Sequence, residues 1–141
     1  MATDPNTNQP IFHGATRAGL RNVGSYQVAG QPFITGSSMW TGRQMLVSFP
    51  YVTKKITVIA SGSQGPGGLR VHFAATGSGR IVEGNHYIVL NSHEDSVELD
   101  VKCKEVYISS PSGSGGYMLY ASLTNIPTSS MYTLTGAGIT D

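Results

Sequence analysis

From Arg43 onward, apolar residues recur at every second position in short runs closed by glycine, serine or proline. "KKITVIA" (54–60) sets Ile56 and Val58 on one side, with Lys55 and Thr57 on the other. "LRVHFAA" (69–75) alternates Leu69, Val71 and Phe73 with Arg70 and His72. "SVELDVKC" (96–103) alternates Val97, Leu99 and Val101 with Glu98, Asp100 and Lys102. A period of two marks a strand with one buried face, because successive side chains leave the backbone on opposite sides. The same reading gives strands at 43–49, 86–91, 105–109 and 116–124, seven in all. Their connectors, "SGSQGPGG", "TGSGR", "NSHED" and "SPSGSGG", carry turn chemistry. No ten-residue stretch shows a helical stripe. The expected fold is therefore all-β, an antiparallel β-sandwich or barrel of seven to eight strands.

Two segments fall outside this alternation. "LRNVGSYQVAGQPFITGS" (20–37) has apolar bursts broken by Gly24, Gly30 and Gly36. A helix would not carry that many glycines, since each costs about 1 kcal/mol relative to alanine. An extended N-terminal arm is expected over 1–42, the β-sandwich domain over 43–124 and a C-terminal tail over 125–141. The apolar residues of both ends have no place in the core pattern. Tyr26, Val28, Phe33 and Ile34 of the arm and Met131, Tyr132 and Leu134 of the tail are thus the candidate contacts to a subunit or partner. The basic arm and the acidic run from Glu94 to Glu105 read first as solvated faces. The sharper alternative, a basic arm meeting the acidic strand of another subunit, adds Arg17 and Arg21 to the candidate contacts. An arm that adds as a strand to a neighbour satisfies its backbone and fills pockets with alternate side chains.

Charged residues make up 12% of the chain, about half the usual share. The surface is left to small polar residues or to other subunits. A net charge of +1 provides no basic stripe, so no nucleic-acid partner is expected. The single cysteine, Cys103, excludes an intrachain disulfide, and its apolar strand context makes it a small buried filler. The N-terminus lacks the apolar core of a signal peptide. No run reaches the ~20 apolar residues that span a bilayer. A chain made in the host cytoplasm, reaching its destination by assembly and with no membrane partner, is the expectation.

The candidate chemistry is sparse. His13, His72, His86 and His93 form neither H-x-H nor H-E-x-x-H. A metal shared by His86, His93 and Asp95 across a hairpin is conceivable, but ordinary surface histidines account for the same letters. No serine lies in G-x-S-x-G. The acids of the 94–105 hairpin read as a solvated strand face and not as a catalytic pair. "GSQGPGG" (62–68) leads into a strand, not a phosphate-binding helix N-terminus. No catalytic residue, cofactor site or metal site is assigned, and a non-enzymatic protein is expected.

The succession of "LRNVGSYQVAGQPFITGS", "SFPYVTKKITVIASG", "LRVHF", "HYIVL", "VKCKEVYIS" and "YASLTNIPTSSMYTLTGAGITD" resembles small virion proteins of tailed bacteriophages, the capsid decoration or cement proteins. The resemblance runs from about Leu20 to Asp141. It implies a jelly-roll sandwich, a trimer, and a place on the outside of the phage head, which it would stabilise. Its partners would be copies of itself and the major capsid protein or other virion proteins, with no active site. Two other roles fit the residues. One is a phage tail or neck component. The other is a receptor- or carbohydrate-binding sandwich using Trp40, Tyr51, Tyr87, Tyr107 or Tyr120.

Overall fold

Among the described residues eight strands form: β1 (Gln31–Ser38), β2 (Arg43–Ser48), β3 (Tyr51–Ser61), β4 (Leu69–His72), β5 (Ile88–Leu90), β6 (Ser96–Leu99), β7 (Glu105–Ser110) and β8 (Gly116–Pro127). A one-turn helix, α1 (Gly24–Gln27), precedes β1, and a 3-10 turn (Thr128–Ser130) follows β8. The computed structural model describes residues 19–21, 23–27, 30–62, 64–65, 67–74 and 86–135.

The strands make two four-stranded sheets, ordered β1-β8-β3-β6 and β2-β7-β4-β5, with every pairing antiparallel. β1 pairs with β8, β2 with β7, β3 with β6 and β4 with β5. The chain is thus one long antiparallel ribbon, doubled back between β4 and β5 and wrapped around a core. Alternate rungs of the ribbon fall in alternate sheets, which is the jelly roll. Ile56 and Val58 of β3 and Leu119, Ala121 and Leu123 of β8 supply one wall of the core. Leu69 and Val71 of β4 and Val106 and Ile108 of β7 supply the other. Each large aliphatic side chain buried there contributes about 1.5–3 kcal/mol.

β3 departs from strict alternation near its start. Its register against β8 slips between Tyr51 and Thr53 and again between Thr53 and Lys55. Bulges of this kind re-aim side chains, and the consecutive Val52 and Thr53 are both buried. Val52 leaves the main core and packs with Ile126 and Met131, beside Leu20, Tyr26 and Leu134. The Thr53 hydroxyl donates to the Val101 carbonyl (2.8 Å) and accepts the Cys103 N–H (3.1 Å). Its one hydrogen is thereby used, so the Cys103 thiol, 3.3 Å away, is the donor in that contact. Burial pushes this thiol up to about 11. The lone cysteine is a buried, neutral filler.

The boundaries differ from expectation in three places. Residues 31–38, expected in an arm, are the edge strand of the same domain and pair with β8 from Gln31↔Leu123 to Ser38↔Gly116. The physical reason is Phe33, which points inward and meets the Phe49 ring edge-on at 5.5 Å. The arm therefore does not extend through residue 42. β8 runs on to Pro127, past the expected limit at 124, and the tail residues Met131 and Leu134 pack on the sandwich. β6 stops at Leu99, and the following residues cross toward the other sheet. There Phe49 N–H donates to the Lys104 carbonyl (2.9 Å) and Thr53 N–H to that of Cys103 (3.0 Å).

At one end of the sandwich, glycine loops lock together backbone to backbone. Gly67 N–H donates to Ser112 Oγ (2.9 Å), Ser110 Oγ–H to the Gly113 carbonyl (2.9 Å), and Gly42 N–H to the Ser110 carbonyl (2.7 Å). These connectors are packed parts, not slack.

Candidate interaction surface

Along β8, Tyr117, Leu119, Ala121 and Leu123 point inward, so Met118, Tyr120 and Ser122 point out. The β1 register lays Ile34 beside Tyr120 and Gly36 beside Met118. On the other side, β3 brings Thr57 against Tyr120 and Ile59 against Met118. Ile34 is 75% exposed, Met118 48% and Tyr120 40%. Together they form an apolar stripe across the outer face of β1 and β8. Farther along the same face Lys55 pairs with Glu98, an exposed ion pair that solvent screens. One half of the face is therefore apolar and the other charged. Clustered exposed apolar side chains mark contact surfaces.

The opposite sheet has a different outer face. His72 lies on the polar side of β4, where sequence reasoning places it in solvent, yet it is 1% exposed. Its ring is satisfied on every side. Nδ1 sits 2.7 Å from the Ala74 carbonyl and so carries the proton. Nε2, 2.5 Å from Ser109 Oγ, then accepts the serine hydroxyl. The ring stacks on Tyr107 with centroids 5.7 Å apart. Ser109 is buried as well, so this Ser–His contact presents no exposed nucleophile. It is a polar clamp between β4 and β7.

Burial holds the His72 pKa below the ordinary 6.5, the Arg70 charge adds to that, and the Ala74 carbonyl opposes it. A folded-state pKa below the unfolded one means that the unfolded chain binds the proton more readily. The clamp's stability is then present above about pH 6.5 and lost as pH falls through the folded pKa. The melting temperature is expected to drop as the pH falls below about 6.5, with a shallower slope in His72→Gln. Thermal melts of both proteins across that range check it, and parallel slopes would reject the assignment.

The expected contact residues separate into four groups. Arg17 and Val28 lie outside the described residues. Phe33, Tyr26, Met131 and Leu134 are engaged within the chain and are not free anchors. Phe33 packs in the main core, while Tyr26 and Leu134 pack around the small cluster that contains Met131. Tyr26 also donates from its hydroxyl to the Leu20 carbonyl (3.0 Å) and lies 5.3 Å from Lys102 Nζ. Apolar bursts from the two ends found each other because both approach the same end of β3. Arg21 is exposed in the turn before α1. Ile34 and Tyr132 remain exposed as large apolar side chains. Met118 was missed by the sequence reading, although its place opposite inward Tyr117 and Leu119 follows from the period of two.

Two of the three conceivable metal residues, His93 and Asp95, are otherwise engaged. His93 Nδ1 accepts Gly62 N–H (2.8 Å), and the Asp95 carboxylate accepts the amides of Asn91 (3.1 Å) and Ser92 (3.0 Å). Among the described residues no group of three potential metal ligands assembles. Nor, among them, is any helix long and apolar enough to cross a membrane.

The fold defines an eight-stranded jelly-roll domain. Comparison with protein-family models, curated proteins and solved structures finds no match for the chain.

Proposed function

We propose that this chain is a non-enzymatic structural protein of a tailed-phage virion, a decoration protein that binds the outside of the head and stabilises it. The observation that carries this reading is the apolar stripe of Ile34, Met118 and Tyr120 on a chain with only 12% charged residues. A shell protein covering that stripe would gain about 1.5–3 kcal/mol for each large apolar side chain fully buried. Repetition over a symmetric particle multiplies the gain through avidity. The resemblance from Leu20 to Asp141 supports the same assignment. Jelly rolls serve capsids, lectins and cupins alike, so the fold on its own selects no function.

The test is fractionation of a phage lysate with an antibody to the protein. Recovery with filled heads is the expected result, and recovery only as free protein would overturn the proposal. Recovery with tails would favour the tail or neck role. A chain carrying Ile34→Ser, Met118→Ser and Tyr120→Ser, added to particles that lack the protein, is expected to bind at least about tenfold more weakly.

One observation favours a second reading, a glycan-binding module. Trp40 in the β1–β2 turn is 58% exposed, with the Arg43 guanidinium 3.7 Å from its ring centroid. Binding on a glycan array that disappears in Trp40→Ala would establish that reading.

A further inference from the structure

β1 ends its sheet, and among the described residues no strand pairs with its outer edge. Met39 N–H donates to the Gly115 carbonyl (2.8 Å), which continues the β1–β8 register by one step. Backbone groups alternate sides along an antiparallel strand. Odd-numbered residues of β1 therefore bond toward β8, while Pro32, Ile34, Gly36 and Ser38 aim their backbone groups at the free edge. Pro32, with no N–H to offer, belongs on that side. Among the described residues, the one bond made to these outward groups is from Ser37 Oγ–H to the Ser38 carbonyl (3.1 Å).

Edges that must stay single are short, charged or bulged. The other three edges fit that description. β5 has three residues, β6 has four with Glu98 among them, and β2 opens on Arg43. β1 has eight residues, "QPFITGSS", with no charge and no slip in its register. Among the described strands it is the unguarded edge.

We propose that β1 pairs antiparallel with β1 of a second copy across a twofold axis, making the two β1-β8-β3-β6 sheets continuous. A twofold axis normal to the sheet reverses strand direction and keeps each face on its own side, so a strand with a free edge is its own antiparallel partner. With Thr35 on the axis, Ile34 exchanges both backbone bonds with Gly36 of the second copy, and Ser38 N–H reaches the carbonyl of the opposite Pro32. A register centred on Ile34 would set Pro32 against Gly36 and make fewer bonds. In the Thr35 register the Ile34 side chain lies over a glycine, where nothing blocks it. An uncharged strand also brings no like charges together, whereas β6 paired with itself would do so through Glu98. This pairing depends on β1 alone and not on a virion role. It differs from the trimer that the phage resemblance implies.

Ile34→Pro removes the outward N–H without touching a bond to β8. The full-length protein is expected to show the mass of a dimer by sedimentation equilibrium at micromolar concentration. Ile34→Pro is expected to be a monomer with an unchanged circular-dichroism spectrum. Opposed residues outside the bonded pairs lie about 4.5 Å apart at Cα, within the range a disulfide spans. Mild oxidation of Thr35→Cys is therefore expected to give a covalent dimer, and Ser92→Cys, exposed in the β5–β6 turn away from β1, should not. The native Cys103 stays silent because it is buried. A monomeric or trimeric wild-type protein overturns the proposal. So does Thr35→Cys cross-linking no faster than Ser92→Cys, which decides the matter even if Ile34→Pro fails to fold.

Discussion

A chain lacking residues 1–38 is expected to lose its cooperative folding. The deletion removes all of β1, so every β1–β8 pair from Gln31↔Leu123 to Ser38↔Gly116 is lost and β8 becomes an edge. It takes Phe33 from its contact with Phe49, leaving a void in the main core. It also strips Leu20 and Tyr26 from the cluster of Val52, Ile126 and Met131. Losing a fully buried aromatic side chain costs about 3–5 kcal/mol, and the half-buried Phe33 loses part of that in addition to the whole β8 pairing. Domains of this size are stable by only about 5–15 kcal/mol in total, so the combined loss is comparable with the whole. Far-ultraviolet circular dichroism should show a broad, non-sigmoidal melt, with dye binding to exposed apolar surface. A sharp melt within a few degrees of the full chain would show that β1 is dispensable and that the segment is a detachable arm after all.

That expectation reverses what the sequence suggests, and the cause lies in β1 itself. In β3 and β7 the outward positions hold polar residues such as Thr57 and Glu105, so the alternation is visible. In β1 the outward positions hold Pro32, Ile34 and Gly36, and the inward ones Phe33, Thr35 and Ser37. Apolar character on both faces erases the period of two. The strand exists because of long-range pairing with β8, across most of the chain, which local pattern cannot report. The same limit applies to Tyr26, Met131 and Leu134. Each reads as an unattached apolar residue until the register slips in β3 turn Val52 toward them.

The strands after residue 42 were legible because apolar and polar side chains alternate along them, as Val97 and Leu99 do with Glu98 in β6. His72 was not, because its position on a polar face is correct and its burial is not implied by position. The clamp needs Ser109 from β7 and the Ala74 carbonyl two residues on. Neither partner is signalled by spacing. The apolar stripe was half legible. Ile34 was selected as a contact residue, for an arm that turned out to be a strand. Met118 and Tyr120 became its neighbours only when the register was known.

The glycine loops supply the other large expected effect. A Cβ at Gly113 would lie 2.4 Å from the Gly65 nitrogen, and one at Gly65 would lie 2.2 Å from the Ser112 carbonyl oxygen. Both obstacles are backbone, and both loops are held by the Ser112–Gly67 and Ser110–Gly113 bonds. Neither can give way cheaply. Forcing a methyl into such a contact costs about 1–3 kcal/mol, occasionally more, and here the upper end is expected. For a domain of this size that lowers the melting temperature by roughly 10 °C. Two other glycines separate close packing from backbone conformation. At Gly42 a Cβ meets open space, but φ is +79°, so Gly42→Ala should cost about 1 kcal/mol through the left-handed backbone alone. At Gly19 there is open space and no positive φ, so Gly19→Ala should change stability by less than about 0.5 kcal/mol. Denaturant titrations of the three variants should rank Gly113→Ala as the most damaging, then Gly42→Ala, then Gly19→Ala. If Gly113→Ala is no worse than Gly42→Ala, the loops are not in backbone contact, and "SGSQGPGG" and "SPSGSGG" are turns and nothing more.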